Sequence, residues 1–177
     1  LWTSDGTLAG TTGVAEINTA DPFYSIGTSL LFTSTQSGTG RELWKTDGTG
    51  AGTSLVSEIN SSTSAMQIDR SNPFYIRLGV TGEFVVFAAD DGINREALWR
   101  SDGTELGTVL LNAACRQPDQ FTKAADTLFF RGNDVFGTSL WKSDGTVEGT
   151  IKVVPPETAR VESPDLVEYG GCLSFIG

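Results

Sequence analysis

The side chains best suited to chemistry in this sequence are carboxylates, because its 177 residues include 22 Asp and Glu but no histidine. The sequence therefore holds no Ser-His-Asp or Cys-His nucleophile system and no imidazole ligand for zinc. Hydrolysis of a glycosidic bond needs only two carboxylates about 5 to 10 Å apart. Glu42, Asp91 and Glu96 are the candidates for such a pair. Their spacing does not favour catalysis, since single acidic residues beside strands usually keep a sheet edge in solvent.

A second cluster of oxygen ligands, formed by Asp90, Asp91 and Asn94, is a weak candidate for calcium. The segment lacks the alternating Asp spacing and the final Glu of an EF-hand loop, so a solvated turn is the favoured interpretation. No other cofactor is predicted. The glycine-rich segment 48–52 imitates a phosphate-binding loop, but no strand-to-helix transition follows it.

The elements that would position these residues are indicated by an internal repeat. The pattern L-W-x-[ST]-D-G-T-x-x-G-T occurs four times, and we name its copies repeats 1 to 4. Consecutive tryptophans of the copies are 42, 55 and 42 residues apart, which is close to the period of a four-stranded propeller blade. The repeats occupy Leu1–Thr11, Leu43–Thr53, Leu98–Thr108 and Leu140–Thr150.

Each repeat predicts a hairpin turn that needs no ligand. The Asp side chain accepts hydrogen bonds from backbone amides two residues on, the following Gly takes a positive φ, and the second Gly-Thr seats a bulge. The Trp supplies apolar area that packs between neighbouring units. We therefore assign a structural role to the repeated residues, which are Trp2, Asp5, Trp44, Asp47, Trp99, Asp102, Trp141 and Asp144.

The predicted fold class is all-β, with four short strands, a to d, in each unit. Gly accounts for 21 residues, and no segment has the apolar periodicity of a helix. Strands a to d of the second unit are expected near Phe74–Leu78, Glu83–Ala89, Glu96–Ser101 and Thr108–Ala113, with a last a-b pair near Asp165–Tyr169 and Cys172–Ile176.

The predicted architecture is a β-propeller of four blade-equivalents in a single domain, residues 1–177, with blade boundaries near residues 20, 72, 118 and 164. Two arrangements remain open, namely a closed four-bladed ring and an arc of a larger propeller of about six to eight blades. The arc is favoured because the sequence starts and stops inside the repeat pattern, so we expect a piece of a longer protein.

The segment Glu42–Thr49 closely resembles the ELWxxDGT repeat family, and the four copies extend this resemblance over nearly the whole chain. The resemblance implies a β-propeller-like repeat protein that is secreted or surface-associated and has no assigned catalytic role. Two copies depart from the pattern at the glutamate. Ala97 is inserted between Glu96 and Leu98, and repeat 4 is preceded by Ser139.

Loop lengths predict where a partner binds. In a blade the b-c turns and the crossovers from strand d to the next strand a lie on one face, which we name the crossover face. The a-b and c-d turns lie on the opposite face, the turn face. The extra residues between Trp44 and Trp99 fall in Asn60–Asn72 and Asp90–Arg95, both on the crossover face. The predicted interaction residues are Asp69, Arg70, Asp90, Asp91 and Arg95.

Charge, hydropathy and cysteine content exclude several classes of protein. The net charge of -10 argues against nucleic acid as a partner. The longest apolar run, Phe84–Ala89, is far shorter than a transmembrane helix, so no transmembrane segment is predicted. Cys115 and Cys172 would allow one disulfide bond, and neither belongs to a CxxC motif.

The expected function is a non-catalytic scaffold or interaction module with a protein partner, in an extracytoplasmic compartment. The alternative is a lectin-like module that binds glycans through exposed aromatic side chains such as Tyr24, Tyr75 and Phe136. An N-glycosylation sequon, Asn60-Ser61-Ser62, lies in the long crossover and matters only in a eukaryotic secretory route. A glycoside-acting enzyme is the third and weakest hypothesis.

Overall fold

The computed structural model describes residues 1–17, 23–36, 40–60, 79–81, 83–94, 96–153 and 166–174. Its regular elements are all β-strands, which confirms the predicted all-β class. No helix in this part of the chain is long and apolar enough to cross a membrane. The strands are β1 (Trp2–Thr3), β2 (Thr12–Gly13), β3 (Tyr24–Ile26), β4 (Ser29–Gln36), β5 (Gly40–Thr46), β6 (Ser54–Ser57), β7 (Gly79–Thr81), β8 (Phe84–Asp90), β9 (Glu96–Ser101), β10 (Val109–Ala124), β11 (Thr127–Asp134), β12 (Gly137–Ser143), β13 (Ile151–Val153), β14 (Val167–Tyr169) and β15 (Cys172–Ser174).

The strands form four antiparallel sheets. Strands β3, β4, β5 and β6 make one four-stranded sheet in sequence order, which is the arrangement predicted for a blade. Strands β7 to β13 make a seven-stranded sheet, while β1-β2 and β14-β15 are two-stranded hairpins. Within the described residues the sheets do not close into a ring.

The seven-stranded sheet contains one strand that the sequence did not predict as continuous. Strand β10 covers 16 residues and includes the boundary predicted near residue 118. Its first half pairs with β9 and its second half with β11. Gln117 and Gln120 have positive φ between the two halves, so the strand bends there. At the preceding register shift, Asn112 Oδ1 accepts hydrogen bonds from the amides of Ala114 (2.8 Å) and Cys115 (3.1 Å).

Successive units stack in the same orientation, as two contacts between repeats show. Lys45 Nζ of repeat 2 donates to the carbonyl oxygen of Gly103 in repeat 3, at 3.1 Å. Arg100 Nη1 of repeat 3 donates to the carbonyl oxygen of Gly145 in repeat 4, at 2.5 Å. Three Asp-Gly-Thr turns therefore lie at the same end of the molecule, and β10 must reverse its direction at its bend.

The core lies between consecutive units. Leu31 and Leu43 of the four-stranded sheet pack with Val85 and Phe87 of β8. A second cluster joins both halves of the seven-stranded sheet across the bend of β10. Its buried members are Val86, Leu98, Leu111, Cys115, Leu128, Phe130 and Trp141. Each fully buried Leu or Phe stabilises the fold by about 1.5 to 3 kcal/mol, so packing between units contributes to the stability of the fold.

Strand register is the same in the three sheet segments that hold strands b and c. The Trp of each repeat lies opposite a Phe of strand b, as the pairs Phe32-Trp44, Phe87-Trp99 and Phe130-Trp141 show. Because side chains alternate across a sheet, this shared register sends equivalent side chains to equivalent faces in every unit.

The two cysteines are free thiols, so the disulfide that the sequence allowed is not formed. Cys115 is buried in β10, and Cys172 is exposed on β15. Burial raises the pKa of Cys115 to about 12, so this thiol is not reactive near neutral pH.

Candidate functional site

The four Asp-Gly-Thr turns share one hydrogen-bond pattern on the turn face. In repeat 3, Asp102 Oδ1 accepts from the backbone amide of Thr104 at 2.8 Å and from its hydroxyl at 2.7 Å. Ser101 Oγ accepts from the amide of Gly103 at 3.0 Å and shares a hydrogen bond with the hydroxyl of Thr108 at 2.8 Å. The equivalent bonds recur in the other three repeats.

The second glycine of each repeat has a role that the sequence analysis missed. A Cβ atom at Gly107 would overlap the carboxylate of Asp102, and the same overlap would occur at Gly10, Gly52 and Gly149. In the pairing of β5 with β6, the register shift lies between Leu55 and Ser57 of β6, beyond Gly52 and Thr53. Glycine is therefore needed as a seat for the carboxylate, and the bulge predicted at this position is wrong.

The electrostatics of the turns follow from these bonds. Hydrogen bonds from the hydroxyl and amide of Thr104 hold the pKa of Asp102 below its usual value. Bonds from Thr7, Thr49 and Thr146 lower the pKa of the equivalent Asp residues in the same way. One oxygen of each carboxylate thus lies inside its own turn, where it accepts a hydrogen bond from an amide that would otherwise have no partner in the turn.

On the crossover face, the turn between β8 and β9 is closed by its own polar side chains. Asp91 Oδ1 accepts from the amides of Ile93 (2.9 Å) and Asn94 (2.6 Å), and Asp91 Oδ2 accepts from Asn94 Nδ2 at 2.7 Å. Asp90 Oδ1 accepts from the amide of Gly92 at 2.8 Å. Although burial opposes them, the hydrogen bonds from Asn94 and Ile93 hold the pKa of Asp91 below its usual value.

The calcium candidates Asp90, Asp91 and Asn94 thus lie together, and each takes part in the hydrogen bonds of the turn. No group of three or more Asp, Glu, Cys or His side chains that could hold a metal ion occurs among the described residues. Glu96 lies opposite Asp90 where the two strands end. Burial, together with the charge of Asp90, raises the pKa of Glu96.

A second turn of the crossover face connects β11 and β12 and presents apolar side chains to solvent. Val135 and Phe136 are 91% and 89% exposed, and Ile93 in the preceding unit is 85% exposed. Asp134 fixes this turn by accepting from the amide of Phe136 and from Lys152 Nζ, both at 2.8 Å. The bond from Lys152 holds the pKa of Asp134 below its usual value.

The bend of β10 lies beside this second turn. Asn133 Nδ2 donates to Gln117 Oε1 at 3.0 Å, and Thr138 Oγ1 donates to Asn133 Oδ1 at 2.7 Å. Arg131 forms a bidentate pair with Asp119, with distances of 2.8 and 2.6 Å. A polar border therefore adjoins the apolar tip formed by Val135 and Phe136.

Glu42, the first catalytic candidate, is buried on β5 in the four-stranded sheet. Its two carboxylate oxygens accept from the amides of Ile59 (2.9 Å) and Asn60 (3.2 Å) and so hold the start of the long crossover. Burial raises the pKa of Glu42, and these hydrogen bonds oppose the increase. Glu96 lies on β9 of the seven-stranded sheet, and Asp91 lies in the turn between β8 and β9. The structure therefore places Glu42 in a different sheet from the strands that hold the other two candidates.

The remaining predicted residues fall into two groups. Tyr24, offered as an exposed aromatic, is half-buried and packs against the cluster around Leu31, because β3 pairs Tyr24 directly with Leu31. The others lie outside the described residues, together with the blade boundaries near 20, 72 and 164; they are Asp69, Arg70, Tyr75, Arg95, Ser61 and Ser62.

Two kinds of site residue were missed by the sequence analysis. Ile93 and Val135 carry no motif, although an apolar residue at the centre of a short polar turn is itself a signal of exposure. The residue that follows Trp links neighbouring units in two repeats, where it is Lys45 or Arg100. The sequence did carry a sign of this role: a Lys or Arg follows the Trp in three of the four repeats, although a solvated strand would accept any polar residue there.

Comparison with known proteins adds no relative. No protein-family model matches the chain, and no curated protein or solved structure matches it either.

Proposed function

We propose that the chain is a non-catalytic, β-propeller-like interaction module whose crossover face binds a protein partner in an extracytoplasmic compartment. The observation that carries the proposal is the exposure of Ile93, Val135 and Phe136 at the tips of two crossover-face turns. Exposed apolar groups on a rigid scaffold are typical of interaction surfaces, and aromatic residues contribute much of the binding energy at such surfaces.

Internal hydrogen bonds hold both crossover-face turns in place without a partner. Asp91 accepts three hydrogen bonds within the first turn, and Asp134 accepts two within and beside the second. A braced turn loses little conformational entropy on binding, so more of the contact energy is available for affinity.

The charges around the apolar tips indicate the chemistry of the partner. Asp90 and Asp91 precede Ile93, and Asp134 precedes Val135, in a chain whose net charge is -10. The matching surface is an apolar pocket surrounded by Lys and Arg residues, because complementary charges at the rim speed association and exclude wrong partners.

The non-catalytic part of the proposal is supported by the use that the fold makes of Glu42, whose two carboxylate oxygens hold backbone amides. Turnover of a glycoside or ester by the wild-type chain, lost in Glu96→Gln, would contradict it. The likeness to the ELWxxDGT repeats supports the extracytoplasmic location.

The test is a comparison of the two faces. The partner is first identified by cross-linking and co-purification from the native source, and its affinity for purified variants is then measured by calorimetry. Ile93→Ser with Phe136→Ser should lower the affinity at least about thirty-fold, as loss of a central apolar anchor does. The matched control is Leu8→Ser with Leu106→Ser, because these side chains are 96% and 94% exposed on the turn face. Equal losses in both variants, or a loss only in the control, would refute the assignment of the face.

A second candidate function, glycan binding, is favoured by the surroundings of Phe136. Lys152 Nζ lies 5.6 Å from the centre of its ring, and Asn133, Gln117 and Thr138 form hydrogen-bonding groups nearby. An exposed ring beside amide and hydroxyl groups is suited to a sugar, whose ring has one apolar face and a polar edge. A glycan array probed with the wild-type chain and with Phe136→Ala tests this candidate. Hits that vanish in the variant support it, whereas an array without hits refutes it.

A further inference from the structure

The bend of β10 and the turn that follows this strand contain the strained backbone positions of the described structure. Among the described residues, positive φ occurs at nine glycines and at three other residues, which are Gln117 (50°), Gln120 (57°) and Ala125 (51°). Glycine adopts positive φ freely, whereas a residue with a Cβ atom is strained there. Strain of this kind is typically kept where the side chain has a use, so Gln117 and Gln120 indicate a role for the bend beyond connecting two units.

The bend lies between the two crossover-face turns whose apolar tips carry the proposed function. Arg116, at the start of the bend, pairs with Ala97 of β9 on one side and with Asn133 of β11 on the other. Strand β9 begins just after the turn that holds Ile93, and β11 ends just before the turn that holds Phe136. A partner that contacts both tips therefore passes over the bend.

Gln117 uses its side-chain acceptor within the bend and keeps its donor. Asn133 Nδ2 donates to Gln117 Oε1 at 3.0 Å, and Asn133 Oδ1 in turn accepts from Thr138 Oγ1 at 2.7 Å. Gln117 is exposed, and its side-chain NH2 group makes no hydrogen bond to any residue that the structure describes. The chain of bonds orients the amide of Gln117, so that its donor is held at the surface.

The charges at the bend favour an acidic group on the partner. Asp119 is paired with Arg131, and Asp134 with Lys152, so both of these carboxylates are compensated. Arg116 is exposed and forms no ion pair within the described part of the chain. A guanidinium and an amide NH2 on adjacent residues both supply donors, and a carboxylate has the acceptors that match them.

We propose that Arg116 and Gln117 bind one carboxylate of the partner, so that the bend of β10 determines specificity between the two apolar tips. This inference rests on the proposed function of the crossover face, and it adds one acidic residue to the Lys and Arg residues expected around the partner's pocket. The strain at Gln117 then holds a donor that glycine would not provide at this φ. A fixed order of charges excludes partners whose charge pattern differs.

Peptide selection tests the proposal with defined probes. A phage library of random peptides is selected on the wild-type chain, and the peptides that no longer bind Ile93→Ser with Phe136→Ser are kept as crossover-face peptides. These peptides should contain an Asp or Glu near apolar residues. Replacing that acidic residue with Asn or Gln in a synthetic peptide should weaken binding at least about ten-fold, as loss of a charge-assisted hydrogen bond does. A library that yields no crossover-face peptide would overturn the proposed function and this inference with it.

Variants of Gln117 separate recognition from support of the bend. Gln117→Glu keeps the oxygen that accepts from Asn133 but removes the donor, so the urea midpoint should match that of wild type while peptide affinity falls at least about ten-fold. Gln117→Gly should unfold at a higher urea concentration than Gln117→Ala, because glycine relieves the positive φ.

The matched control is Ala125→Gly, which relieves the same kind of strain on the turn face and should leave peptide affinity unchanged. Crossover-face peptides that bind Gln117→Glu as tightly as wild type, or that carry no acidic residue, would overturn the inference and leave the proposed function standing. A lower urea midpoint in Gln117→Glu would also count against it, since the glutamine would then serve the fold.

Discussion

The turn face and the crossover face of this molecule differ in how regularly their turns are bonded. On the turn face, four turns repeat the same bonds, such as Asp102 to Thr104 and Ser101 to Thr108, with nearly the same distances. On the crossover face, the turns after β8 and β11 share only the Asp that ends the strand and accepts from the amide two residues on. Their other bonds differ, since Asp91 binds Asn94 in the first turn and Asp134 binds Lys152 in the second. Repetition on one face thus keeps the units alike, and variation on the other face gives each unit a different surface.

The difference teaches where stability and function lie. The turns on the first face connect neighbouring units through Lys45 and Arg100, so a defect there should weaken the stack. The turns on the second face present Ile93 and Phe136 to solvent. Substitutions should therefore change stability on the turn face and binding on the crossover face.

The largest expected effect comes from filling the seat of a turn carboxylate. Gly107→Ala places a Cβ where the Asp102 carboxylate lies, so the side chain must leave and both bonds from Thr104 are lost. The free energy of unfolding should fall by about 3 kcal/mol, combining a lost cap with steric strain. Urea denaturation measures it, with Gly13→Ala as the control because the nearest atom there is 3.9 Å away. Equal stability of the two variants would show that the carboxylate is not confined by the glycine.

The link between repeats 3 and 4 should have the next largest effect. Arg100 binds the carbonyl oxygen of Gly145 and lies over the ring of Phe84, with 4.3 Å from Cζ to the ring centre. Arg100→Ala removes both contacts and should lower the free energy of unfolding by about 2 kcal/mol. Arg100→Lys keeps the charge and should recover about half of the loss. If Arg100→Ala leaves the urea midpoint unchanged, the stacked turns do not stabilise each other.

The turn carboxylate itself should have a smaller effect. Asp102→Ala removes the acceptor for the amide and hydroxyl of Thr104 and should cost about 1 kcal/mol, the usual value for a local side-chain cap. Asp102→Asn retains an acceptor oxygen and should cost less. A loss of partner binding without any loss of stability would place a functional site on the turn face instead.

Local features of the fold were predictable because their causes lie within a few residues. The repeated turns were predicted from Asp and Gly spacing, and β9 was predicted with the bounds that the structure has. Strand β8 differs by one residue at each end. The strand expected near Phe74–Leu78 lies outside the described residues.

Features that depend on distant contacts were not predictable. The bond from Lys45 to Gly103 joins residues 58 positions apart, and no local pattern of residues specifies which carbonyl a lysine will reach. Strand β10 was expected to stop near Ala113, but Asn112 satisfies the amides at the first shift and the strand continues through Pro118. Proline is tolerated there because it lies at an irregularity of the sheet.

The candidate site divides in the same way. The Asp90–Arg95 turn and Phe136 were predicted from the sequence, because loop length and an aromatic residue in a turn can be recognised without knowledge of the fold. The sequence offered Glu42 as a catalytic group because the amides of Ile59 and Asn60 that occupy this carboxylate belong to another strand connection. The acid was visible in the sequence, whereas its partners depended on the fold.

The smallest expected effect is a difference in pH dependence between wild type and Asp102→Asn. Hydrogen bonds lower the pKa of Asp102 in the folded chain below its unfolded value of about 3.9, so the carboxylate stabilises the fold at and above that pH. Its contribution should be lost as the pH falls through the lower, folded pKa, when the side chain is protonated in both states. The gap in the free energy of unfolding between wild type and Asp102→Asn should thus be constant from about pH 5 to 7 and shrink below about pH 4. Glu105→Gln, an exposed carboxylate in the same turn, controls for a general loss of negative charge. A gap that widens as the pH falls would mean that the Thr104 bonds do not favour the ionised carboxylate, and that the turn face is held by its glycines and hydroxyls alone.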